Sequence, residues 1–275
     1  MKKYAKLLAL LTALTLLFTC SVASAESAKM ASIKEKGKII MATDAMWAPF
    51  EYIGEKGEPS GVDIDIAQYI ADQIGVELEV LNVSFDSLTT YLVNDEADIV
   101  LAAMTITEER AETVNFSNSY TVSEQYIVVP EEDEATQSIE DLAGKAIGVH
   151  LGTTGDFLIS DEISLPGGAL ENTGASVVQY KSLADAMLAM KNGELGAVVC
   201  DMQLAMNLVS TNSGTKCFPA VYADGSKTDE YYGAAMKKGD DEFVQEINDI
   251  MQPIIDDGTI DEWIVKHSEI SSQLG

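Results

Sequence analysis

Ala102-Ala-Met-Thr-Ile-Thr-Glu-Glu-Arg-Ala-Glu-Thr-Val-Asn-Phe-Ser-Asn-Ser-Tyr120 is the stretch on which the reading of this chain turns. It follows Asp98-Ile-Val-Leu101, an acid and then an apolar run that reads as a buried strand. Thr107 followed by Glu108 and Glu109 marks a helix start, with a hydroxyl at the N-cap and acids near the positive end of the helix. Arg110 then falls in the first turn, beside the end of the strand. Backbone N–H groups, the Thr105 hydroxyl and a guanidinium converge there, and a guanidinium offers the two-donor fork that fits a carboxylate. Taken alone, the same residues fit an arginine paired with Glu108, Glu109 or Glu112 on a solvated surface. The rest of the chain decides between the two.

Outward from this stretch, the first residues read as an export signal. Lys2, Lys3 and Lys6 precede the apolar run Leu7–Phe18, and Ala23-Ser24-Ala25 supplies small residues for cleavage. Cleavage after Ala25 is favoured over lipid attachment at Cys20, because Phe18 and Thr19 fit poorly before a lipidated cysteine. Either route exports the chain. The formal charge is −28, and loss of residues 1–25 removes three lysines and no acid, leaving 14 basic against 45 acidic side chains, or −31. That charge argues against nucleic acid and anionic membrane as partners. Beyond Ala25 remain Cys200 and Cys217, either paired or free, and two isolated histidines, His150 and His267. Nothing in their spacing suggests a metal site, a cofactor fingerprint or a nucleophile elbow.

The hydrophobic pattern alternates strand and helix. Residues 26–37 read as a polar, loose lead-in. Lys38–Thr43, Glu77–Val83 and Asp98–Ala103 read as strands. Val62–Ile74 is a helix with apolar residues every fourth position, Asp63 as its cap and Gly75 at its end, and Phe85–Leu92 is a second helix. The pattern restarts with strands at Gln125–Val129, Lys145–His150, Ser176–Tyr180 and Leu195–Cys200. A Gly152-Thr-Thr-Gly155 loop leads into a helix, and helices at Ser182–Lys191, with a capping-box-like Ser182-x-x-Asp185, and Met202–Val209 follow. A strand at Tyr231–Met236, a helix from Glu242 that Pro253 kinks or ends, and a last helix at Ile260–Val265 close the chain. Two α/β units of similar size imply two lobes.

The motifs in order are Thr43-Asp-Ala-Met-Trp-Ala-Pro-Phe-Glu51, Gly61-Val-Asp-Ile-Asp-Ile-Ala67, Met104 to Tyr120, Gly152-Thr-Thr154, and Asp185 to Asp201. Together they resemble the family 3 solute-binding proteins, which feed polar amino acids to ABC importers. The resemblance spans nearly all of the chain after residue 37. It implies an α/β fold of the type II periplasmic-binding-protein kind, two lobes joined by two crossing strands with a ligand cleft between them. Lobe 1 would comprise residues 38–120 and 228–275, and lobe 2 residues 125–224. By resemblance Arg110 and Thr105 take the α-carboxylate, Thr154 faces the same group from lobe 2, and Asp201 accepts the α-ammonium. Trp47 and Phe85 wall the side chain, while Asp44, Ala102, Ala103, Met104 and His150 line or tune the pocket. Ala102-Ala103 stands where relatives carry hydroxyls, which leaves side-chain specificity open.

Each position has a plainer alternative. Trp47 and Phe85 fit a core, Asp201 a helix cap, Asp44 a loop support, and His150 a structural role. The expected function is capture of one free amino acid, polar and leaning to arginine, lysine or histidine with glutamine next, by a monomer that delivers it to a membrane permease without a cofactor. Rival readings are a secreted dehydratase-like enzyme, with Glu51 and His150 as the available acid and base, and a sensory domain.

Overall fold

The computed structural model describes residues 26–274. The expected export signal over residues 1–25, with Cys20, lies outside these residues. The chain forms α1 (Ala28–Lys36), β1 (Lys38–Thr43), β2 (Met46–Trp47), β3 (Glu51–Ile53), β4 (Pro59–Ser60), α2 (Val62–Ile74) and β5 (Glu77–Asn82). A 3₁₀ turn, Phe85–Ser87, runs into α3 (Leu88–Val93), then β6 (Ile99–Val100), α4 (Glu108–Thr113) and β7 (Val114–Phe116). The second half holds β8 (Thr121–Pro130), β9 (Ala146–His150), α5 (Thr154–Ser164), β10 (Ser176–Tyr180), α6 (Leu183–Lys191), β11 (Ala197–Asp201), α7 (Met202–Thr211) and β12 (Thr215–Pro219). It ends with β13 (Asp229–Tyr232), β14 (Ala235–Lys237), α8 (Asp241–Asp256) and α9 (Thr259–Ser271).

Two sheets organise two lobes. The first has strand order β5-β1-β6-β14-β7, the second β10-β9-β11-β8-β12, and β2, β3 and β4 make a small separate sheet. In each main sheet the first three strands run parallel, the fourth (β14 or β8) runs against them, and the fifth (β7 or β12) runs with the first three. Strand β8 belongs to both parts of the molecule. Its residues Thr121 to Glu124 pair with β13, and from Gln125 onward it lies between β11 and β12. The antiparallel ribbon of β8 and β13 therefore carries the chain into the second lobe and back.

Local chemistry explains the elements that place the site. Val62, Ile66 and Ile70 are wholly buried along one face of α2, and Gly75 ends it in a left-handed conformation at φ 82°. Gly61 sits at φ 136°, where a Cβ would meet the Phe50 carbonyl oxygen at 2.1 Å, so the chain needs glycine there. The cap expected from Asp63 is not made. The N-cap is Gly61, and Asp63 is buried, accepting from Ala103 N (2.7 Å) and Tyr120 OH (3.0 Å).

Other differences have physical causes. Residues 26–37 are not loose: Ser27 caps α1 and donates to Glu246 from its N (2.9 Å) and Oγ (2.6 Å), while Met30 and Ile33 are buried. One short helix with two buried apolar residues leaves no periodicity to read. Helix α8 runs through Pro253 to Asp256. The hydrogen bond lost is to the exposed Asp249, while Ile247, Met251 and Ile254 hold the helix on the core. The expected strand Tyr231–Met236 is broken at Gly233-Ala234, where the chain leaves the ribbon for the first sheet. Only Ile99–Val100 of Asp98–Ala103 pairs as a strand, because Ala103 takes a positive φ of 45°. Ser182 makes no side-chain cap.

Candidate functional site

Arg110 is the only arginine in the chain, and the fold buries its guanidinium between the lobes. The Thr107 hydroxyl accepts from Arg110 N at 3.1 Å, starting α4 where the sequence predicts it. The guanidinium donates through Nη1 to the Thr105 carbonyl at 2.8 Å and through Nη2 across the cleft to the Gly152 carbonyl at 3.1 Å. It lies 5.3 Å from the Phe85 ring centroid, a cation held over an aromatic face. Burial lowers its pKa, and Glu230 and Asp201 pull the other way.

A small enclosed space beside it is bounded by Trp47, Phe85, Ala103, Thr105, Arg110, Thr153, Thr154 and Asp201, with a volume of about 10 Å³. That is room for about one water molecule. Thr153 caps α5, accepting from Asp156 N, so the start of this eleven-residue helix faces the same space. Gly155 lets the helix approach closely, since a Cβ there would stand 2.7 Å from Gln125 Oε1. A helix N-terminus and a guanidinium meeting at one point favour an anion.

The opposite pole is acidic. Asp201 is at the end of β11 and stands at the N-cap of α7 but makes no capping bond, so the helix-cap alternative fails. Its Oδ1 accepts from Gln125 Nε2 at 2.6 Å and its Oδ2 from Tyr232 OH. The same Gln125 nitrogen donates to Glu230 Oε1 at 2.9 Å and lies 3.3 Å from Thr154 Oγ1. Glu230 Oε2 accepts from the Thr105 hydroxyl at 3.0 Å. Burial, and then the charge of Glu230, push the Asp201 carboxyl well above the usual range. Gln125 Oε1 is a buried acceptor with no donor.

The side-chain end is aromatic and acidic. Trp47 and His150 lie face to face at 5.4 Å between centroids, tilted by 30°, and Phe85 is 6.1 Å from the same imidazole. Asp44 Oδ2 accepts from Phe85 N at 3.0 Å and is 3.6 Å from His150 Nε2. Burial holds His150 down at about 4 and raises Asp44 to about 6. Glu51 is wholly buried with neither carboxyl oxygen partnered. Burial, Asp63, Asp44 and Asp201 together push it well above its ordinary range.

Most of the predicted residues come together here: Asp44, Trp47, Phe85, Ala103, Thr105, Arg110, Thr154 and Asp201, with His150 in the cleft rather than in a lobe core. Ala102 is a correction. It packs among Ala42, Leu88, Leu92 and Val114 in an apolar cluster, because the turn at Ala103 sends neighbouring side chains to opposite sides. Met104 joins that cluster and borders the groove outside Arg110. The Thr105 hydroxyl faces Glu230, so its contribution beside the guanidinium is its carbonyl, which orients Arg110. Sequence reasoning passes over Gln125, Glu230 and Tyr232. The signal for the last two was alternation: β13 buries Glu230 and Tyr232 and exposes Asp229 and Tyr231. Cys200 and Cys217 are both free thiols. Among the described residues no helix is long and apolar enough to cross a membrane.

Comparison with known proteins gives the family. Residues 39–269 match the family described as bacterial extracellular solute-binding proteins, family 3. A probable histidine-binding protein of Neisseria gonorrhoeae is 30% identical over 232 residues, covering 84% of this chain and 83% of that one. The arginine-binding extracellular protein ArtP of Bacillus subtilis (strain 168) is 30% identical over 244 residues, covering 89% and 91%. Among solved structures, the amino acid ABC transporter substrate-binding protein AbpA of Streptococcus pneumoniae, bound to L-arginine, superposes with a TM-score of 0.79 at 28% identity, covering 88% of this chain and 98% of that one.

Proposed function

We propose, since this chain belongs to the bacterial extracellular solute-binding proteins of family 3, that it captures a free amino acid outside the cytoplasm and passes it to the membrane permease of an ABC importer. The observation that carries the reading is the single arginine of the chain, buried in the cleft with no ion-pair partner among the described residues, facing an acidic pole built around Asp201. A zwitterion carries one anion and one cation a few ångströms apart, and these poles match it. Arg110 and the start of α5 at Thr154 take the α-carboxylate. Asp201 takes the α-ammonium, and the unpartnered Gln125 Oε1 offers it a second acceptor. Trp47, Phe85 and His150 wall the side chain, with Ala103 beneath and Met104 at the rim.

The charge balance favours a cationic side chain. Asp44, Glu51, Asp63, Asp201 and Glu230 are all buried in or behind the cleft, against one guanidinium. A ligand with a net positive charge relieves that imbalance, and an acidic one worsens it. Arginine, lysine or histidine is therefore placed first and glutamine next. In this reading residues 38–120 and 228–275 make lobe 1, residues 125–224 make lobe 2, the protein acts as a monomer, and it leaves its ligand chemically unchanged. Its relatives as a family are solute-binding proteins. His150, held neutral against Trp47, and Glu51, shut away from solvent and pushed well above its ordinary range, serve structurally rather than as an acid–base pair. Titration calorimetry against the common amino acids, with product analysis of the bound compound, tests the proposal. Absence of binding by every amino acid, or turnover of the one that binds, overturns it.

A further inference from the structure

The acidic pole holds one carboxylate more than a zwitterion needs. Asp201, at the end of β11, and Glu230, on the returning crossing strand β13, are each almost wholly buried and each bound to the same amide nitrogen of Gln125. Glu230 also takes the Thr105 hydroxyl and Asp201 takes the Tyr232 hydroxyl, so the network ties both lobes to the ribbon that joins them. The titratable and charged groups facing this pair are Arg110 from α4, Tyr232 from β13, Cys200 from β11, and Glu51 from the small sheet of lobe 1. Arg110 is the one cation among them, and its bonds go to the Thr105 and Gly152 carbonyls. A single amide bridging two carboxylates, with an orphaned acceptor beside it, is an arrangement that wants one more positive charge.

We propose that in the ligand-free protein a proton supplies that charge, held on Asp201 because Glu230 faces it, and that the ligand's ammonium group takes its place, so that capture releases a proton. The inference rests on the reading of the cleft as an amino-acid site. The balance is simple: a neutral Asp201 carboxyl and an ammonium ion become a carboxylate–ammonium pair, and one proton leaves to the buffer. Burial and Glu230 both raise the carboxyl, in agreement with this assignment. Glu230 is then a positioning residue, acting on the ligand through Asp201. It couples affinity to pH through a strand that must bend when the lobes part. With one proton released, affinity rises about tenfold per pH unit below the ligand-free pKa of Asp201 and levels off above it.

The test is titration calorimetry of the full mature chain with L-arginine, and then L-glutamine, at pH 7 in phosphate and in Tris, whose ionisation enthalpies differ. The parent is expected to release about one proton per ligand. Glu230→Gln should release at most half of that and show a flatter dependence of affinity on pH. Glu230→Asp keeps the charge and should restore most of the release, which guards against a folding artefact. Glu124→Gln, on the facing strand, should match the parent. Infrared difference spectra of the ligand-free protein supply an arm that needs no ligand. One protonated-carboxyl band should be lost in Glu230→Gln and in Asp201→Asn. The inference is overturned if the parent releases no proton, if Glu230→Gln releases as much as the parent, or if the band is unchanged in both variants. Absence of heat with every amino acid overturns the capture reading instead, and the infrared arm then decides the proton's place alone.

Discussion

Replacing Arg110 by alanine should abolish capture while leaving a folded protein. The guanidinium spends two donors on the Thr105 and Gly152 carbonyls and keeps the others for a ligand. Each charge-assisted bond to a ligand carboxylate contributes roughly 1.5–3 kcal/mol. Removing one partner of a buried charged pair costs about 3–5 kcal/mol, because the other charge is left without compensation. At 1.4 kcal/mol per factor of ten, affinity falls by about a hundredfold to a few thousandfold. Lysine should recover less than a tenth of the loss, since a point charge cannot hold a carboxylate by two parallel bonds. Stability responds much less. Two carbonyls lose a donor at about 1–3 kcal/mol each, but a desolvated cation leaves with it, and its cost offsets much of that. A melting temperature lower by a few degrees is expected, at about 2–4 °C per kcal/mol for a chain of this size. The assay is calorimetry with the best-binding amino acid beside a circular dichroism melt. Affinity within threefold of the parent, in a variant that melts normally, refutes the assignment of Arg110 to the ligand.

Asp44→Asn should weaken arginine binding at least threefold and leave a loop that still closes on Phe85, because the amide oxygen can accept from Phe85 N; competition at two salt concentrations reads this, and unchanged arginine affinity rejects Asp44 as a charge in the site. Gly155→Ala should cost at least tenfold in affinity, since the new methyl stands 2.7 Å from Gln125 Oε1 and must displace the amide that holds Asp201 and Glu230; a calorimetric titration matching the parent would count against that network. The protein should melt at a higher temperature at pH 6 than at pH 8.5. Burial raises Asp63 to about 7 and lifts Glu51 and Asp201 well above their ordinary range, so their stabilisation is full below the unfolded carboxylate range and is lost as pH rises through the folded values. His150, held at about 4, acts oppositely, but between about 6.5 and 4, which overlaps this window only at its acid edge. Calorimetric melts check the direction, and a melting temperature that climbs steadily from pH 6 to 8.5 contradicts it.

What the sequence could and could not disclose follows from the range of the interactions involved. The start of α4 was legible because Thr107, Glu108 and Arg110 are neighbours and the cap is local chemistry. Helix α2 was legible because its buried face repeats every four residues and Gly75 stops it. Asp201 was legible as a strand end, where ligands gather in α/β sheets. Asp63 misled because an acid near a helix start is normally a cap, whereas here it holds the Ala103 backbone forty residues away. Gln125 and Glu230 stayed hidden because their partners are 76 and 125 residues distant. One global signal was available without structure: the chain has 16 lysines and one arginine, and only the arginine offers the fork that the proposed function needs.

On the proposed function, these contacts make closure depend on a ligand. Several of them cross the cleft, among them Arg110 to Gly152, the Trp47–His150 stack, and Asp44 beside His150. They draw the lobes together, yet the space they enclose, about 10 Å³, cannot admit an amino acid, so entry requires the lobes to part. Bending at the ribbon of β8 and β13 opens the cleft and separates Arg110 from the pole around Asp201. On reclosure without a ligand, the acids would crowd together against one guanidinium, and the proposed proton on Asp201 would offset that crowding. With a zwitterion held as proposed, its carboxylate on Arg110 and its ammonium on Asp201, the shut form would lose its electrostatic penalty. The ligand then shifts the population by the difference in its affinity for the two forms. A receptor reading the surfaces of the two lobes therefore reads occupancy. The same argument makes the acidic pole as necessary as the arginine, since a site with the fork alone would close on any anion.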